Sequence, residues 1–521
     1  MIIAQFGILY SAKAKNNKFM NFIHSILKLP VKYRLNKLEK LSKNPKETQE
    51  KVLFNLLNRA QNTEWGKKYK YNSIKKIEDF QKTVPINSYE DLYPYISRMI
   101  AGEKNILWPG TVTWFSKSSG TTNARSKFIP VSKESLRSCH FKAGHDELCL
   151  YIKNNPKTKI LKGKSICVGG SFTKINQNPD IFCGDVSAVM MKNMPLLGRY
   201  IRRPSLETAL LEDYEKKIEK IAEEAIPENV TSIAGVPTWT SLLIRKVLEK
   251  TGAKNIFEVW PNLEVFFHGA VAFSPYKKTF HELFPSPNMH YMEAYNASEG
   301  FFGIQDDPSR EGEMMLLPDN GVFYEFIPIN EFGNKNPKIY IMHDVEINKN
   351  YALVISTNSG LWRYVIGDTV AFTSLFPHRI KITGRTKHFI NVFGEEVMVH
   401  NTDTAIKEAC DKTKSSIVDY TVGPVFMDNS NRGGHEWIIE FEQVPASIKE
   451  FSEILDNSLR KINSDYDAKR YKDIALAPPV INSVPKGTFY EWMKKRGKLG
   501  GQNKVPRLSN TREYIEEIKE F

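Results

Sequence analysis

From about Leu263 the chain changes texture. The stretches LEVFFHGAV, MHYMEAYNASEGFFGIQ, EMMLLPDNGVFYEFIPI, YALVISTNSGLWRYVIGDTVAF and RIKITGRTKHFINVFGE are rich in β-branched and aromatic residues and are separated by Gly, Asn and Asp turns. Such runs predict successive strands, and so many in one segment commit the chain to an extended sheet whose apolar faces must be covered. LLPDNGVFYEF carries a hairpin signal at Asn320–Gly321.

Cover is supplied from both sides. Residues 30–100 read as helices joined by polar loops, and NPKETQEKVLFNLLNRAQ places its apolar residues at helical spacing. SKESLRSCHFKAGHDELCLYIKNN also reads as a helix, with Ser132 as its N-cap. KGKSICVGGSF is a short buried strand ending in glycines. Residues 205–226 form the clearest amphipathic helix. PTWTSLLIRKVLEKTG gives another, with Pro237 near its start and Gly252 past its end. Beyond residue 395 a helix (NTDTAIKEACDKT), a strand (HEWIIEFEQV), a helix (SIKEFSEILDNSLRKI) and a basic tail follow. The expected class is α/β (mixed α+β). A large N-terminal domain over 1–394 has sheets flanked by helices, and a small α/β domain occupies 395–521.

A chain of 521 residues with 41% hydrophobic content is too long for one core and apolar enough for two or three. No window approaches the roughly 18 apolar residues of a membrane helix. The N-terminal MIIAQFGILYSAKAKN is apolar, but its positive charges follow the apolar run, so it reads as a docking segment, not a signal peptide. Five scattered cysteines without a C-x-x-C pair fit a reducing cytoplasm, and the eleven histidines include no H-E-x-x-H. The net charge of +14 admits a nucleic-acid surface. With no zinc-finger, KH or RNP signature present, attraction of small anions is the milder inference.

Four stretches carry chemistry. TWFSKSSGTTNARSKFIPVS sets Ser118, Ser119, Gly120, Thr121 and Thr122 between two strand-like pieces, with Arg125 and Lys127 following. Hydroxyls, a pliant Gly and nearby cations are the parts of a phosphate-wrapping loop; alone, they equally make a solvated turn. In YMEAYNASEGFFG, Glu299 sits in a Ser/Gly turn after Tyr295 and either holds Mg²⁺ or caps the turn. In LWRYVIGDTVAF, Asp368 at a strand end either accepts both hydroxyls of a ribose or bonds its own turn. KITGRTKHFINVFGEE and GGQNKVPRLSN offer Arg385 on a turn and Lys504 in a Gly-rich tail, as site cations or as solvated surface charge.

In their order these stretches resemble the Gretchen Hagen family of acyl acid amido synthetases, within the wider firefly-luciferase-like, acyl-adenylate-forming group. SSGTTNARSKFIPVS, YNASEG and RYVIGD match its nucleotide motifs, FFHGAV its adenine-side strand and GQNKVPR its C-terminal signature. The resemblance implies a large adenylating domain with a β-barrel-like part and a small mobile C-terminal domain. It implies ATP and Mg²⁺ as cofactors. Ser118, Ser119, Gly120, Thr121, Thr122 and Lys127 would hold the phosphates. Gly269, Ala270, Tyr295 and Ser298 would flank the nucleotide, Asp368 would bind the ribose and Glu299 the metal. Arg385 and Lys504 would be catalytic. Asn123–Ala124 stand where many relatives have a glycine, and Glu396 where plant members tend to carry a hinge lysine.

The implied reaction activates a carboxylic acid as acyl-AMP, then passes the acyl group to an amine, an amino acid by expectation. A monomer working on small molecules is expected, with neither nucleic acid nor membrane as partner. The alternatives are an acyl-CoA ligase sharing the first step, or a non-catalytic protein binding nucleotide or nucleic acid. The helix around 136–150, with His140, Phe141 and His145, would line the acyl pocket, and no role is assigned to those three.

Overall fold

The computed structural model describes residues 17–521 apart from 119–126, 171, 175–179, 212, 271–272, 274–275, 387–388, 391–394, 396, 426–432, 471–475, 500–502 and 510. The N-terminal docking segment up to residue 16, most of the hydroxyl-rich loop (Ser119, Gly120, Thr121, Thr122, with Asn123, Ala124 and Arg125) and Glu396 therefore lie outside the described residues.

The strands between Leu263 and Arg385 join earlier parallel ones in a single twelve-stranded sheet. One edge is parallel: Arg202–Arg203, Lys164–Val168, Val230–Gly235, Val265–Gly269 and His290–Ala297 lie side by side in that order. The helices Tyr214–Ala225 and Pro237–Thr251 bury Ile218, Ile221, Leu243 and Val247 against Ile166, Ile233 and Phe266. The region expected to be barrel-like continues antiparallel from His290–Ala297 through Gly300–Ile304, Met314–Leu316, His378–Arg385, Tyr364–Leu375, Asn350–Thr357 and Val322–Pro328, to the edge Tyr340–Ile341.

The N-terminal helices cover this half. Leu53, Leu57, Phe80 and Ile96 share one core with Phe302, Tyr324, Trp362 and Phe372. Trp362 is fully enclosed, its indole N–H donating to the Leu107 carbonyl at 3.0 Å. Each such side chain contributes about 1.5–3 kcal/mol by leaving water. A separate hairpin, Trp114–Ser118 with Lys127–Val131, belongs to a four-stranded sheet. Beyond residue 399, helices Val399–Thr413 and Ile448–Ile462 pack Ala405, Ile406, Leu455 and Leu459 on a three-stranded sheet, burying Tyr420 and Trp437. Among the described residues no helix is long and apolar enough to cross a membrane.

Local signals held at several ends. Ser132 accepts from the Ser135 N–H as an N-cap, and Gly252 closes the helix Pro237–Thr251 at φ +67. Two expectations need correcting. The amphipathic stretch 205–226 is two helices, Leu206–Ala209 and Tyr214–Ala225, because Ser205 and Asp213 each cap a separate start. Asn320–Gly321 does not join a hairpin. The strand before it pairs with Gly300–Ile304 and His378–Arg385, whereas Val322–Pro328 pairs with Asn350–Thr357. Asn320 is fully buried and its amide donates to the Phe301 carbonyl, so it ties two layers of the core together.

Candidate active site

The site lies where parallel strands end, the usual place for a ligand crevice in such sheets. Val265–Gly269 runs beside His290–Ala297 with Gly269 opposite Ala294. A Cβ at Gly269 would run into the Ala294 carbonyl oxygen, so only glycine permits this closeness. The chain then turns at Ala270, which holds φ +74, a left-handed conformation that costs a non-glycine residue about 1 kcal/mol or more.

His290–Ala297 delivers Tyr295, and the turn into Gly300–Ile304 holds Ser298 and Glu299, both buried. The neighbouring hairpin delivers the other charges. Its register sets Asp368 directly opposite Arg385, with Gly367 at φ +94 just before the aspartate. Arg385 Nε donates to Asp368 Oδ1 at 2.9 Å, and the Tyr295 hydroxyl donates to Oδ2 at 2.5 Å. Three segments distant in sequence thus meet on one carboxylate.

Glu299 is 8% exposed. Burial, followed by the negative charge of Asp368, pushes its carboxyl up to about 7, against the pull of Lys127 and Arg385. Burial and Asp368 also hold the Tyr295 phenol protonated. Lys127 begins the strand after the hydroxyl-rich loop; its ammonium lies 5.5 Å from the Tyr89 ring centre and 5.9 Å from that of Tyr364. Ser118 ends the preceding strand directly opposite Lys127, whose charge reaches the Glu299 carboxyl.

Lys504 arrives from the tail and donates from Nζ to the Ala270 carbonyl. Its side chain is exposed to the cavity, with Arg385, Asp368 and Arg507 close enough to act on its ammonium. Desolvation, then repulsion from Arg385, lowers its ammonium to about 8. Ala270, Tyr295, Ser298, Glu299, Asp368, Arg385 and Lys504 line one cavity of about 860 Å³. Gly269 and Lys127 are not among its lining residues.

Reading the sequence missed three residues here. Glu293, two places before Tyr295 on the same strand, lines the cavity, with burial and then Asp403 lifting its carboxyl to about 7. Asp403, from the helix Val399–Thr413, and Arg507, three residues beyond Lys504, line it too. Arg507 was visible in KVPR and Glu293 in YMEAYNASEGFFG, whereas Asp403 sits in NTDTAIKEACDKT, which signals only a helix. His140 is fully buried and burial lowers its imidazole to about 4, which fits a neutral core residue. Among the described residues no group of three or more His, Cys, Asp or Glu could hold a metal.

Known proteins match this arrangement along most of its length. The model of the GH3 family N-terminal domain matches residues 34–289, that of the central domain 315–385 and that of the C-terminal domain 400–513. The indole-3-acetic acid-amido synthetase GH3.4 of Arabidopsis thaliana is 26% identical over 548 residues, covering 90% of each chain. The 4-substituted benzoates-glutamate ligase GH3.12 of the same plant is 23% identical, covering 90% of this chain and 94% of its own. Among solved structures, the GH3.15 acyl acid amido synthetase superposes with a TM-score of 0.76 at 18% identity, covering 94% of this chain and 95% of its own. A 2-hydroxyisobutyryl-CoA ligase in the postadenylation state gives 0.55 at 12% identity, covering 93% and 90%. Those two likenesses show the adenylate-forming fold. The three family matches, in order along the chain, go further: this protein belongs to the GH3 (Gretchen Hagen) family.

Proposed function

We propose that this chain is an ATP-dependent acyl acid amido synthetase. A substrate carboxylate attacks the α-phosphorus of ATP, releasing pyrophosphate and leaving an acyl-adenylate. An amine then attacks the acyl carbon, forming the amide and releasing AMP and a proton. The observation that carries this reading is the meeting of Ala270, Tyr295, Glu299, Asp368, Arg385 and Lys504 in one cavity. GH3.12 bears benzoates and glutamate in its name, and an organic acid with an amino acid is the substrate pair we assign here.

The geometry supports a role for each residue. Ala270, after the tight approach at Gly269, and Tyr295 line the same cavity and are the residues we assign to adenine. Asp368 takes the ribose hydroxyls on its two oxygens. The hydroxyl-rich loop from Ser118, with Lys127 at its exit, wraps the phosphates. Glu299 suits Mg²⁺, an ion content with one or two carboxylates plus phosphate oxygens, because a buried carboxylate beside Asp368 gains from a cation. Bound there, Mg²⁺ would neutralise phosphate charge. Lys504 and Arg385 offset charge developing on the α-phosphate oxygens and the departing pyrophosphate, and holding the reactants in line supplies much of the rest.

Residues 395–521 form the small domain on this reading and turn between the two half-reactions. The interval between the central and C-terminal family matches, 386–399, spans that boundary. We take the working unit as a monomer, and five free, buried cysteines support a reducing cytoplasm.

The test is ATP–pyrophosphate exchange with Mg²⁺ across aryl, indole and aliphatic acids, followed by amino acids or CoA as acceptor. Exchange stimulated by one acid class, with amide formed from an amino acid, is expected. Thioester formed with CoA and no amide would overturn the assignment of the acceptor. ATP binding without exchange for any acid would overturn the enzyme reading.

A further inference from the structure

The tail that carries Lys504 clasps the loop after Val265–Gly269 at two points. Lys504 Nζ reaches the Ala270 carbonyl at the start of that loop. Three residues on, Arg507 Nη2 donates to the hydroxyl of Tyr276 at its end, at 2.7 Å. Just before Lys504, the Asn503 carbonyl accepts the Trp239 indole N–H at 3.3 Å.

Arg507 is anchored on its own side. The Val422 N–H donates to the Arg507 carbonyl at 2.9 Å, and the Ser509 N–H returns a bond to Val422 at 3.0 Å, so the tail is stitched to the strand Ser416–Val425. The guanidinium pairs with buried Asp419 and lies 4.3 Å from the ring centre of Tyr420. One arm therefore stays home and the other crosses to Tyr276, itself 4% exposed.

Other contacts between residues before 290 and those beyond 400 are of a different kind. Glu215 with Lys494, and Arg245 with Glu442, are pairs in which at least one partner is half exposed. Lys278 meets Gln443 at the surface. Such contacts are worth little in water. Behind Arg507 and Tyr276 runs a second cavity of about 420 Å³, lined among others by Trp239, Phe280, Ile417 and Phe489, so the apolar packing of Tyr490 and Leu499 against the core around Trp239 and Phe280 covers only part of this face. A charged, desolvated hydrogen bond is the strong polar contact beside Lys504.

We propose that the Arg507–Tyr276 bond is the latch that seats Lys504 for adenylation, with both residues acting as positioning residues; this rests on the proposed function for the role of Lys504. Breaking it lets the tail withdraw without disturbing either core.

Tyr276→Phe tests this, since it removes one hydroxyl and leaves Arg507 paired with Asp419. Pyrophosphate exchange should fall about tenfold in kcat with KM for ATP unchanged, the scale of one charged hydrogen bond. Amide formation from added acyl-adenylate should keep its rate. Wild-type rates in both half-reactions, or an equal fall in both, would overturn the latch. A second readout needs no activity: acetylation of Lys504 by a water-soluble active ester, followed by mass spectrometry, should speed up several-fold in Tyr276→Phe. Unchanged labelling would overturn the latch. Wild-type protein that exchanges with no acid would sink the enzymatic reading, while the labelling would still decide the latch.

Discussion

Glu299→Gln separates the electrostatics of the cavity from its chemistry. The carboxyl of Glu299 rises from 4.5 to about 7 in the folded protein. At ~1.36 kcal/mol per pH unit, that rise amounts to about 3 kcal/mol of strain on the ionised form. The folded state holds its proton more tightly than the unfolded chain does. The penalty is therefore absent below pH 4.5, grows as pH rises to about 7 and is complete above it. Glutamine keeps the shape and removes the charge. In urea unfolding without nucleotide from pH 5 to 8.5, the variant should match wild type closely at pH 5 and exceed it by about 3 kcal/mol at pH 8. ATP with Mg²⁺ should erase much of that gain, because only wild type offers the metal a charge, and pyrophosphate exchange should be lost. A difference that stays flat across this range, or reverses sign, would refute the electrostatic argument.

Three other outcomes are expected. Lys504→Ala should slow adenylation by about 10²–10³ with its melting temperature unchanged; in wild type the adenylation rate should fall as pH rises past about 8, where the ammonium loses its proton, and that limb should vanish in the variant. Gly269→Ala should cost about 1–3 kcal/mol and weaken ATP binding by calorimetry, since the new Cβ forces apart two paired strands. Glu325→Gln should destabilise by about 3–5 kcal/mol in thermal or urea unfolding with KM for ATP unchanged, because it strands Arg363, which is 2% exposed and bonded to Glu325 at 2.9 and 3.0 Å.

The residues that line the candidate site were legible where their position depends on a short local turn. Tyr295, Ser298 and Glu299 lie within five residues of one strand end, and the sheet had only to bring that turn to its edge. Lys504 was legible from its glycine-rich setting. The pairing of Asp368 with Arg385 was not, because irregularities at Thr369/Val370 and Phe372/Ser374 shift the register of that hairpin twice. Asn320–Gly321 misled for a related reason. A turn signal reports local backbone preference, whereas strand partners are chosen by burial across the whole sheet, and buried Asn320 serves the core. Arg507 escaped notice because its value depends on Asp419, Tyr420 and Tyr276, none near it in sequence.

The two oxygens of Asp368 are already engaged in the empty protein, one by Arg385 and one by Tyr295. Each carboxylate oxygen has two lone pairs, so one acceptor site on each stays open beside the protein's own donor. On the proposed function a ribose diol would join Arg385 and Tyr295 on Asp368, and those two donors would hold the carboxylate in place and keep it from standing bare inside the protein between one nucleotide and the next.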